Sequence, residues 1–409
     1  MRFIHTSDWH IGQRLYGQKR YQEFERFLDW LADYIEAEAI EALLVSGDIF
    51  DTATPGNRAQ ALYYGFLHRL ASTSCGQVVI IAGNHDSPTL LEAPSQLLRQ
   101  FNIQVIGSPE KEPADQVFLL RDQNDDPAMI VCAIPFLRDR DIRTAQAGED
   151  LETKAANLRH EIQAHYQRVC AAALDLRRQN EAPLPIVAMG HLFTSGGTTV
   201  EGDGVRELYI GGLGRLDAGS FPAAIDYLAL GHLHSSQRVG GQEHLRYSGA
   251  PLAMGFNEAG QEKVILEVDC TPDKLAITPV AVPCFQELRV LHGELSQLLD
   301  RIAQLRLEKS SAWLELRHQG QLESGLLREQ LLEAVEGSEL RILAIRTASP
   351  NLGSLCQQQS DESLDELSVE EVFERCLGGT DFPADRCEEL RLAFQEIVTS
   401  MNQEDRNAE

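Results

Sequence analysis

The sequence has no closely paired cysteines, no long apolar run and few basic residues for its length. Its eight cysteines form no C-x-x-C motif, which excludes the usual thiolate zinc sites and redox motifs. No stretch approaches the roughly 18 apolar residues of a membrane span, and the N-terminus lacks the apolar core of a signal peptide. We therefore expect reduced thiols, a cytoplasmic location and no membrane contact.

The shortage of positive charge bears on the choice of partners. The 409 residues include 36 Lys and Arg against 62 Asp and Glu, which gives a net charge of −26 at pH 7. Such acidity, taken alone, argues against nucleic-acid binding through a basic field. The charge is uneven, however, because residues 351–409 are strongly acidic and residues 284–350 are nearly neutral. The exclusion therefore holds only for the chain as a whole.

Short apolar runs alternate with helical patterns up to about residue 275, which indicates a large α/β domain. Strands are predicted over residues 2–6, 42–46, 78–82, 130–135, 186–190 and 227–231. Apolar residues at helical spacing predict a helix over residues 21–38. The longer polar helix predicted over residues 152–178 is interpreted as an insertion or a hairpin arm.

The pattern changes near residue 284. A strand–helix–strand–helix–strand series predicts a small α+β module over residues 284–350. A polar, glutamine-containing stretch predicts a linker over residues 351–362, and two helical patterns occupy residues 363–409. The predicted domains are therefore 1–283, 284–350 and 363–409.

Five short motifs each follow a predicted strand. They are Asp8-Trp9-His10, Gly47-Asp48-Ile49-Phe50-Asp51, Gly83-Asn84-His85-Asp86, Gly190-His191 and Gly231-His232-Leu233-His234. Ligands of open α/β sheets bind beyond the carboxyl ends of the strands, so one fold can bring all five motifs to one rim. Each motif alone is weak, since turns and buried histidines produce the same letters. The ordered series carries the prediction.

The motifs offer oxygen and nitrogen donors and no thiolate. The predicted metal ligands are Asp8, His10, Asp48, Asn84, His191, His232 and His234. Such a set suits Mn, Fe or Zn, and seven ligands fit two ions that share a carboxylate. Paired ions of this kind act in phosphate-ester hydrolysis. His85 is placed to protonate a leaving oxygen, and Asp51 to orient its imidazole.

The order of the five motifs resembles the calcineurin-like metallophosphoesterases. Residues 5–12 resemble more specifically the bacterial SbcD-type exonuclease subunits, counterparts of the double-strand-break-repair nuclease, and residues 134–138, 247–251 and 367–373 agree. The resemblance implies a β-sandwich flanked by helices, a small α+β DNA-binding cap domain and C-terminal helices.

The resemblance also implies individual roles. Asp8, His10, Asp48 and His234 would hold one Mn²⁺, and Asp48, Asn84, His191 and His232 the other. His85 would be the catalytic histidine, and the Asp51 carboxylate would orient it. The implied activity is a nuclease of DNA repair, replication and recombination. It would cleave hairpins, nick single strands and degrade double-stranded ends in the 3′-to-5′ direction with ATP dependence.

The implied partners are DNA ends and hairpins, a second copy of the chain, and an SbcC-like coiled-coil ATPase. Arg138, Arg140 and Arg143 are candidate DNA contacts, with ion pairs to Asp139 or Asp141 as the alternative. Periodicity alone favours packing of the C-terminal helices on their own domain, whereas the resemblance makes them the ATPase-binding segment. Its anchors would be Val372, Phe373, Leu390, Phe394 and Ile397.

Two other functions remain to be compared with a nuclease. Protein phosphatases of this fold carry Arg after the second Asp of the second motif and end the third motif in Glu. Here these residues are Thr52 and Asp86, which disfavours a phosphatase. An inactive DNA-end scaffold would not need seven ligands. We therefore expect a nuclease that, because of its acidity, binds DNA weakly alone and with strong salt dependence.

Overall fold

The computed structural model describes residues 1–73, 75–142, 150–180, 182–195, 216–320 and 324–347, with Arg391 and Phe394. The chain divides into two units, Met1–Arg346 and Thr347–Glu409. Arg143, the predicted linker and the predicted anchors Val372, Phe373, Leu390 and Ile397 lie outside the described residues. Phe394 has a helical backbone and is half-buried.

The described residues form the following strands, in chain order. They are β1 (Arg2–Thr6), β2 (Arg14–Leu15), β3 (Gln18–Lys19), β4 (Ala42–Ser46), β5 (Gln77–Ile81), β6 (Ile103–Ile106), β7 (Val117–Arg121), β8 (Pro127–Ala133), β9 (Ile186–His191), β10 (Thr194–Ser195), β11 (Leu216–Asp217), β12 (Tyr227–Gly231), β13 (Gln237–Val239), β14 (Gln242–Tyr247), β15 (Val264–Thr271), β16 (Lys274–Ala281), β17 (Leu288–Gly293), β18 (Trp313–His318) and β19 (Arg341–Thr347).

The α-helices of the same residues follow. They are α1 (Tyr21–Ala37), α2 (Asn57–Leu70), α3 (Pro88–Glu92), α4 (Ser95–Leu98), α5 (Asp139–Ile142), α6 (Leu151–Gln179), α7 (Leu295–Leu307) and α8 (Ser324–Val335).

Two six-stranded sheets pack face to face, which confirms the predicted sandwich. Their strand orders are β16-β15-β1-β4-β5-β6 and β13-β14-β12-β9-β8-β7. One apolar cluster draws residues from both sheets, including Phe3, Leu44, Val131 and Val187, all fully buried. Within the sheets β1, β4 and β5 run parallel, as do β8, β9 and β12. The ends of these strands position the site.

Helices cover the outer face of each sheet. The predicted helix α1 packs with α2 on the first sheet through residues such as Phe24 and Leu31. The interpretation of residues 152–178 as an insertion or hairpin arm is wrong, because α6 packs on the second sheet. Its apolar stripe, which includes Leu158 and Tyr166, is narrow relative to its 29 residues. Because most of the remaining residues of α6 are polar, this apolar face is hard to recognise from the sequence.

A smaller α+β module follows the sandwich. The predicted strand–helix–strand–helix–strand order appears as β17, α7, β18, α8 and β19, with a sheet order β17-β18-β19. Its core is a separate apolar cluster that includes Leu298, Ile302, Leu314 and Leu331. In the part of the chain that the structure describes, no helix is long and apolar enough to span a bilayer.

Candidate metal centre

All five motifs lie at the carboxyl ends of parallel strands. The first three follow β1, β4 and β5 of one sheet, and the last two end β9 and follow β12 of the other. Because the sheets face each other, the five strand ends form one rim, as the sequence predicted. The seven predicted ligands are buried there, except that Asn84 is half-buried.

The turns that carry the ligands are strained. Asp8, His10, Asp48 and His232 have φ angles of 53°, 48°, 51° and 105°, in a region that non-glycine residues rarely adopt. Hydrogen bonds between the turns hold this geometry, such as His10 N to Asp48 O at 3.0 Å. The amide of His232 likewise donates to Asp8 Oδ1 at 3.0 Å. Strain maintained in this way is characteristic of functional sites.

Trp9 anchors the first motif from below. Its indole is fully buried against Phe27 and Phe66, and its Nε1 donates to Thr6 Oγ1 at 3.0 Å. Since Trp9 turns into the core, Asp8 and His10 on either side of it turn toward the rim. An aromatic residue between two ligands is therefore the local reason for the spacing of this motif.

One group of candidate ligands comprises Asp8, His10 and His234, whose ligand atoms lie within 4.8 Å of one another. The Nε2 atoms of His10 and His234 are 3.2 Å apart, and Asp48 Oδ2 is 3.6 Å from the former. Ser7 Oγ donates to Asp8 Oδ2 at 2.5 Å and lies 2.8 Å from Ser248 Oγ. Ser7 thus holds the Asp8 carboxylate, and Ser248 holds Ser7.

The second group comprises Asp48, His191 and His232, joined by Asn84. His191 Nε2 lies 3.2 Å from Asp48 Oδ2, and Asn84 Oδ1 lies 3.0 Å from both His191 Nε2 and His232 Nδ1. The other nitrogen of His191, Nδ1, lies 2.8 Å from the carbonyl oxygen of Ser46. A carbonyl only accepts hydrogen bonds, so Nδ1 carries the proton and Nε2 is free to ligate.

His85 lies beside both groups, with its ring centroid 4.8 Å from that of His10. Its Nδ1 is 2.8 Å from the main-chain carbonyl oxygen of Asp51. The Asp51 carboxylate lies within 4.8 Å of ring nitrogens of both His85 and His10, with Oδ1 3.6 Å from His10 Nδ1, and makes no hydrogen bond to His85 in the described residues. The expectation that this carboxylate orients His85 is therefore corrected: the oxygen that contacts His85 belongs to the main chain.

Two buried carboxylates outside the predicted set of site residues support the motifs. Asp86 accepts from the amides of Ile49, Phe50 and Gly83 at 3.1, 3.0 and 2.9 Å, and so ties the second motif to the third. Glu258 lies behind His234, with Oε1 3.8 Å from Nδ1. Asp86 could be identified from the sequence because it is the last residue of the third motif. Glu258 belongs to none of the five motifs, so no pattern in the sequence indicated its role.

Without metal, burial and neighbouring charges shift the pKa values of the ligands in opposite directions. Burial disfavours protonation of His191, but the Asp48 carboxylate outweighs it and raises the pKa of His191 to about 9. His232 has no comparable compensation, so burial lowers its pKa to about 3. Burial raises the pKa of Asp8, and for Asp48 the neighbouring histidines overcome burial and hold its pKa well below the usual range.

The donor set fits a pair of divalent cations. Imidazole nitrogens and carboxylate oxygens converge, and the His10 Nδ1 and His234 Nδ1 atoms have no hydrogen-bond partner among the described residues. Nitrogen and oxygen ligands of this kind bind Mn²⁺, Fe²⁺ or Zn²⁺. Both groups include a carboxylate, and Asp48 Oδ2 approaches His10 as well as His191.

The arginines predicted to contact DNA differ in their surroundings. Arg138 Nη2 donates to the carbonyl oxygen of Asp86 at 3.1 Å, and its guanidinium carbon lies 5.7 Å from the ring centre of Phe136. Arg140 is exposed and lies 3.5 Å from an Asp141 carboxylate oxygen, which is the alternative that the sequence left open. The structure thus brings Arg138 to the rim.

Comparison with known proteins defines the class. Residues 1–236 match the family model described as calcineurin-like phosphoesterase, more than half of the chain. Residues 284–379 match a model described as type 5 capsule protein repressor C-terminal domain, SbcD_C. A solved dimetal phosphatase from Danio rerio aligns with a TM-score of 0.42 at 13% identity, over 69% of this chain and 97% of that one. By its family match, the chain is a metal-dependent phosphoester hydrolase.

The relatives in sequence narrow the class to one family. The D subunit of nuclease SbcCD from Escherichia coli K12 is 36% identical over 406 residues, which cover 98% of this chain and 95% of the relative. The protein of the same name from Bacillus subtilis is 29% identical over 415 residues, 99% of this chain and 100% of the relative. The chain belongs to the SbcD family of nuclease subunits.

Proposed function

We propose that this chain is a Mn²⁺-dependent DNA nuclease whose two-metal site is held by the seven predicted ligands. Asp8, His10 and His234 would hold one ion, Asn84, His191 and His232 the other, with Asp48 shared. The observation that carries the proposal is the convergence of these side chains on one rim beside His85. When bound, paired divalent ions stabilise charge on the attacking and leaving oxygens of a phosphate ester.

The chain's own contribution to catalysis centres on His85. Because Nδ1 donates to the carbonyl oxygen of Asp51, the ring is held in one orientation and Nε2 is left to exchange a proton with substrate. The amide of His85 donates to Asp48 Oδ1 at 2.9 Å, which couples the position of the ring to the shared ligand. We assign His85 the protonation of the leaving 3′-oxygen or its equivalent.

Arg138 is the best-placed arginine for a phosphate. One of its nitrogens, Nη1, is buried and has no hydrogen-bond partner in the described residues, while Nη2 is fixed by the carbonyl of Asp86. A guanidinium fixed by the carbonyl of the residue that follows His85 suits an oxygen of the DNA backbone. Arg140 and Arg143 would be secondary contacts of the same loop.

The partner is inferred from the family. Relatives are named as the D subunit of the SbcCD nuclease, and we propose that an SbcC-like coiled-coil ATPase binds residues 363–409 and supplies the ATP dependence of double-strand 3′-to-5′ exonuclease activity. The residue range 284–350 would act as the DNA-binding cap, and two copies of the chain would form the core of the complex. Deleting residues 363–409 should abolish ATPase binding and spare Mn²⁺-dependent cleavage.

The test uses the full-length chain, stripped of metal and then supplied with Mn²⁺. A labelled DNA hairpin should be cut, and a phosphopeptide should not. His85→Leu should reduce cleavage about 10²- to 10⁴-fold, the usual contribution of a general acid, without abolishing metal binding. Asn84→Ala should reduce both cleavage and metal binding.

The matched control for His85→Leu is His68→Leu, since His68 is exposed on α2 and far from the motifs in sequence. This variant should cut at the wild-type rate. Phosphopeptide turnover without DNA cleavage would overturn the nuclease proposal, and normal cleavage by His85→Leu would overturn the assigned proton transfer.

A further inference from the structure

Glu258 is a buried carboxylate behind one of the candidate ligands. It lies in the 3-10 turn Phe256–Glu258, between β14 and β15, and is 1% exposed. Its Oε2 atom is 2.5 Å from Lys263 Nζ and accepts the amide of Met254 at 3.0 Å. One oxygen of the carboxylate is therefore fully engaged, and the ion pair with Lys263 maintains it as an anion.

The other oxygen faces His234. Glu258 Oε1 and His234 Nδ1 are 3.8 Å apart, and each is buried without any hydrogen-bond partner among the described residues. A buried polar atom without a hydrogen-bond partner destabilises the fold. A shift of the His234 ring by several tenths of an ångström would bring these two atoms into a hydrogen bond with each other. The opposite ring nitrogen, Nε2, is the atom that points toward His10.

The surroundings keep Glu258 in place. Phe256 packs with Leu15, Leu288 and Trp313, so the turn lies between the sandwich and the smaller α+β module. Lys263 also donates to the main-chain oxygen of His234 at 3.3 Å, so the same lysine contacts the ligand residue and its neighbour. The Lys263 side chain is 10% exposed, which leaves little solvent to screen the pair.

We propose that Glu258, held by Lys263, is a positioning residue that accepts the Nδ1 proton of His234 and so presents Nε2 to a divalent cation. A histidine that binds metal through one nitrogen commonly donates from the other to a carboxylate, which sets the tautomer and ring orientation. The proposal rests on the metal centre proposed above. It assigns a role to a side chain outside the five motifs.

The decisive variant is Glu258→Gln. The carbonyl of Gln can keep the contacts with Lys263 and Met254, and its NH₂ then faces His234 Nδ1. That donor favours the tautomer with the proton on Nε2, which cannot ligate through Nε2. We expect Mn²⁺ affinity to fall about 10- to 100-fold at one of the two sites, as for other partners of ligating histidines.

Two readouts separate positioning from a structural role. Calorimetric titration of metal-free protein with Mn²⁺ gives the affinity of each site, and ring ¹⁵N chemical shifts of labelled histidines give the tautomer of His234. The matched control is Glu262→Gln, since Glu262 lies next to Lys263 in sequence but is exposed. It should leave both readouts at their wild-type values.

The outcomes are distinct. Loss of one Mn²⁺ site with a changed His234 tautomer supports the proposal. Wild-type affinity and tautomer in Glu258→Gln overturns it, whether or not the urea midpoint for unfolding falls. If the wild-type chain itself binds no Mn²⁺, the failure lies in the proposed metal centre. A second variant, Lys263→Met, should lower the affinity of the same site, and equal loss at both sites would contradict the assignment.

Discussion

Gly83 tests whether the shared ligand depends on close backbone packing. A Cβ added at this position would lie 2.7 Å from Cγ of Asp48, and closer still to its Oδ1 and main-chain nitrogen. Cβ atoms essentially never make contacts under 3.0 Å, so Gly83→Ala forces one of the two turns to move. The third motif therefore needs glycine because of what lies beside it.

The size of the effect of Gly83→Ala depends on which of the two turns can move. The carbonyl of Asp48 is tied to the amide of His10 at 3.0 Å, so its main chain cannot shift without displacing the first motif. Overpacking of a well-packed site costs about 1–3 kcal/mol in the free energy of unfolding. A displacement of the reacting groups by roughly 1 Å lowers turnover about 100-fold.

The assay compares Gly83→Ala with Gly65→Ala. A Cβ at Gly65, exposed on α2, would meet nothing within 4 Å. Replacing a helical glycine by alanine raises the free energy of unfolding by roughly 0.5–1 kcal/mol, so the two variants should move in opposite directions in urea. Mn²⁺ titration and hairpin cleavage should be impaired only in Gly83→Ala. Wild-type urea midpoint and Mn²⁺ affinity in Gly83→Ala would refute the reasoning.

Four further predictions concern pH, metal and the core. His5 and His232 are buried with pKa values of about 3, so the unfolded state binds more protons between pH 6.5 and 3. Stability of the metal-free chain should therefore fall as the pH falls through this window, by about 2 kcal/mol per histidine at pH 5 in urea unfolding, and His5→Asn should reduce the slope. Mn²⁺ at 100 times its Kd should raise the free energy of unfolding by about 2.7 kcal/mol, reversed by chelator. Because the pKa of His191 is about 9 without metal, calorimetry should show proton release on binding and an affinity that rises with pH up to that value; no proton release would contradict this ligand. Trp9→Ala should cost about 3–5 kcal/mol and weaken Mn²⁺ binding, whereas unchanged binding would separate the anchor from the site.

Local patterns predicted a large α/β domain and the rim, whereas the sandwich was predicted from the family resemblance. The runs that form β1, β4 and β12 have the predicted bounds, since short apolar segments between polar turns identify buried strands. β15, which pairs antiparallel with β1, and β16, which pairs antiparallel with β15 at the edge of the sheet, were not predicted, because strands with one half-exposed face have a weaker pattern. The packing of α6 was missed for the related reason that its apolar stripe is narrow.

The chemistry of the motifs was readable, but the supporting contacts were not. A ligand at a strand end is marked by its neighbours in sequence, as Asp48 is by Gly47. Glu258 meets His234 across 24 positions of sequence, and the hydrogen bond to His85 uses the carbonyl of Asp51, an atom that every residue possesses. No residue type encodes a main-chain acceptor, so the sequence identified Asp51 without revealing which of its atoms contacts His85.

The acidity of the chain takes on a different meaning at the site. Asp8, Asp48 and Glu258 are buried within a few ångströms of histidines and a lysine, so their charges are balanced locally and contribute little to the outer field. Two divalent ions would add four positive charges at the rim, where the carbonyl oxygen of Asp86 also holds the Arg138 guanidinium. A DNA backbone would thus be attracted to one rim of a chain whose net charge is −26, and salt should weaken that attraction steeply. Under the proposed function, acidity would disfavour binding elsewhere on the surface and restrict DNA to the rim.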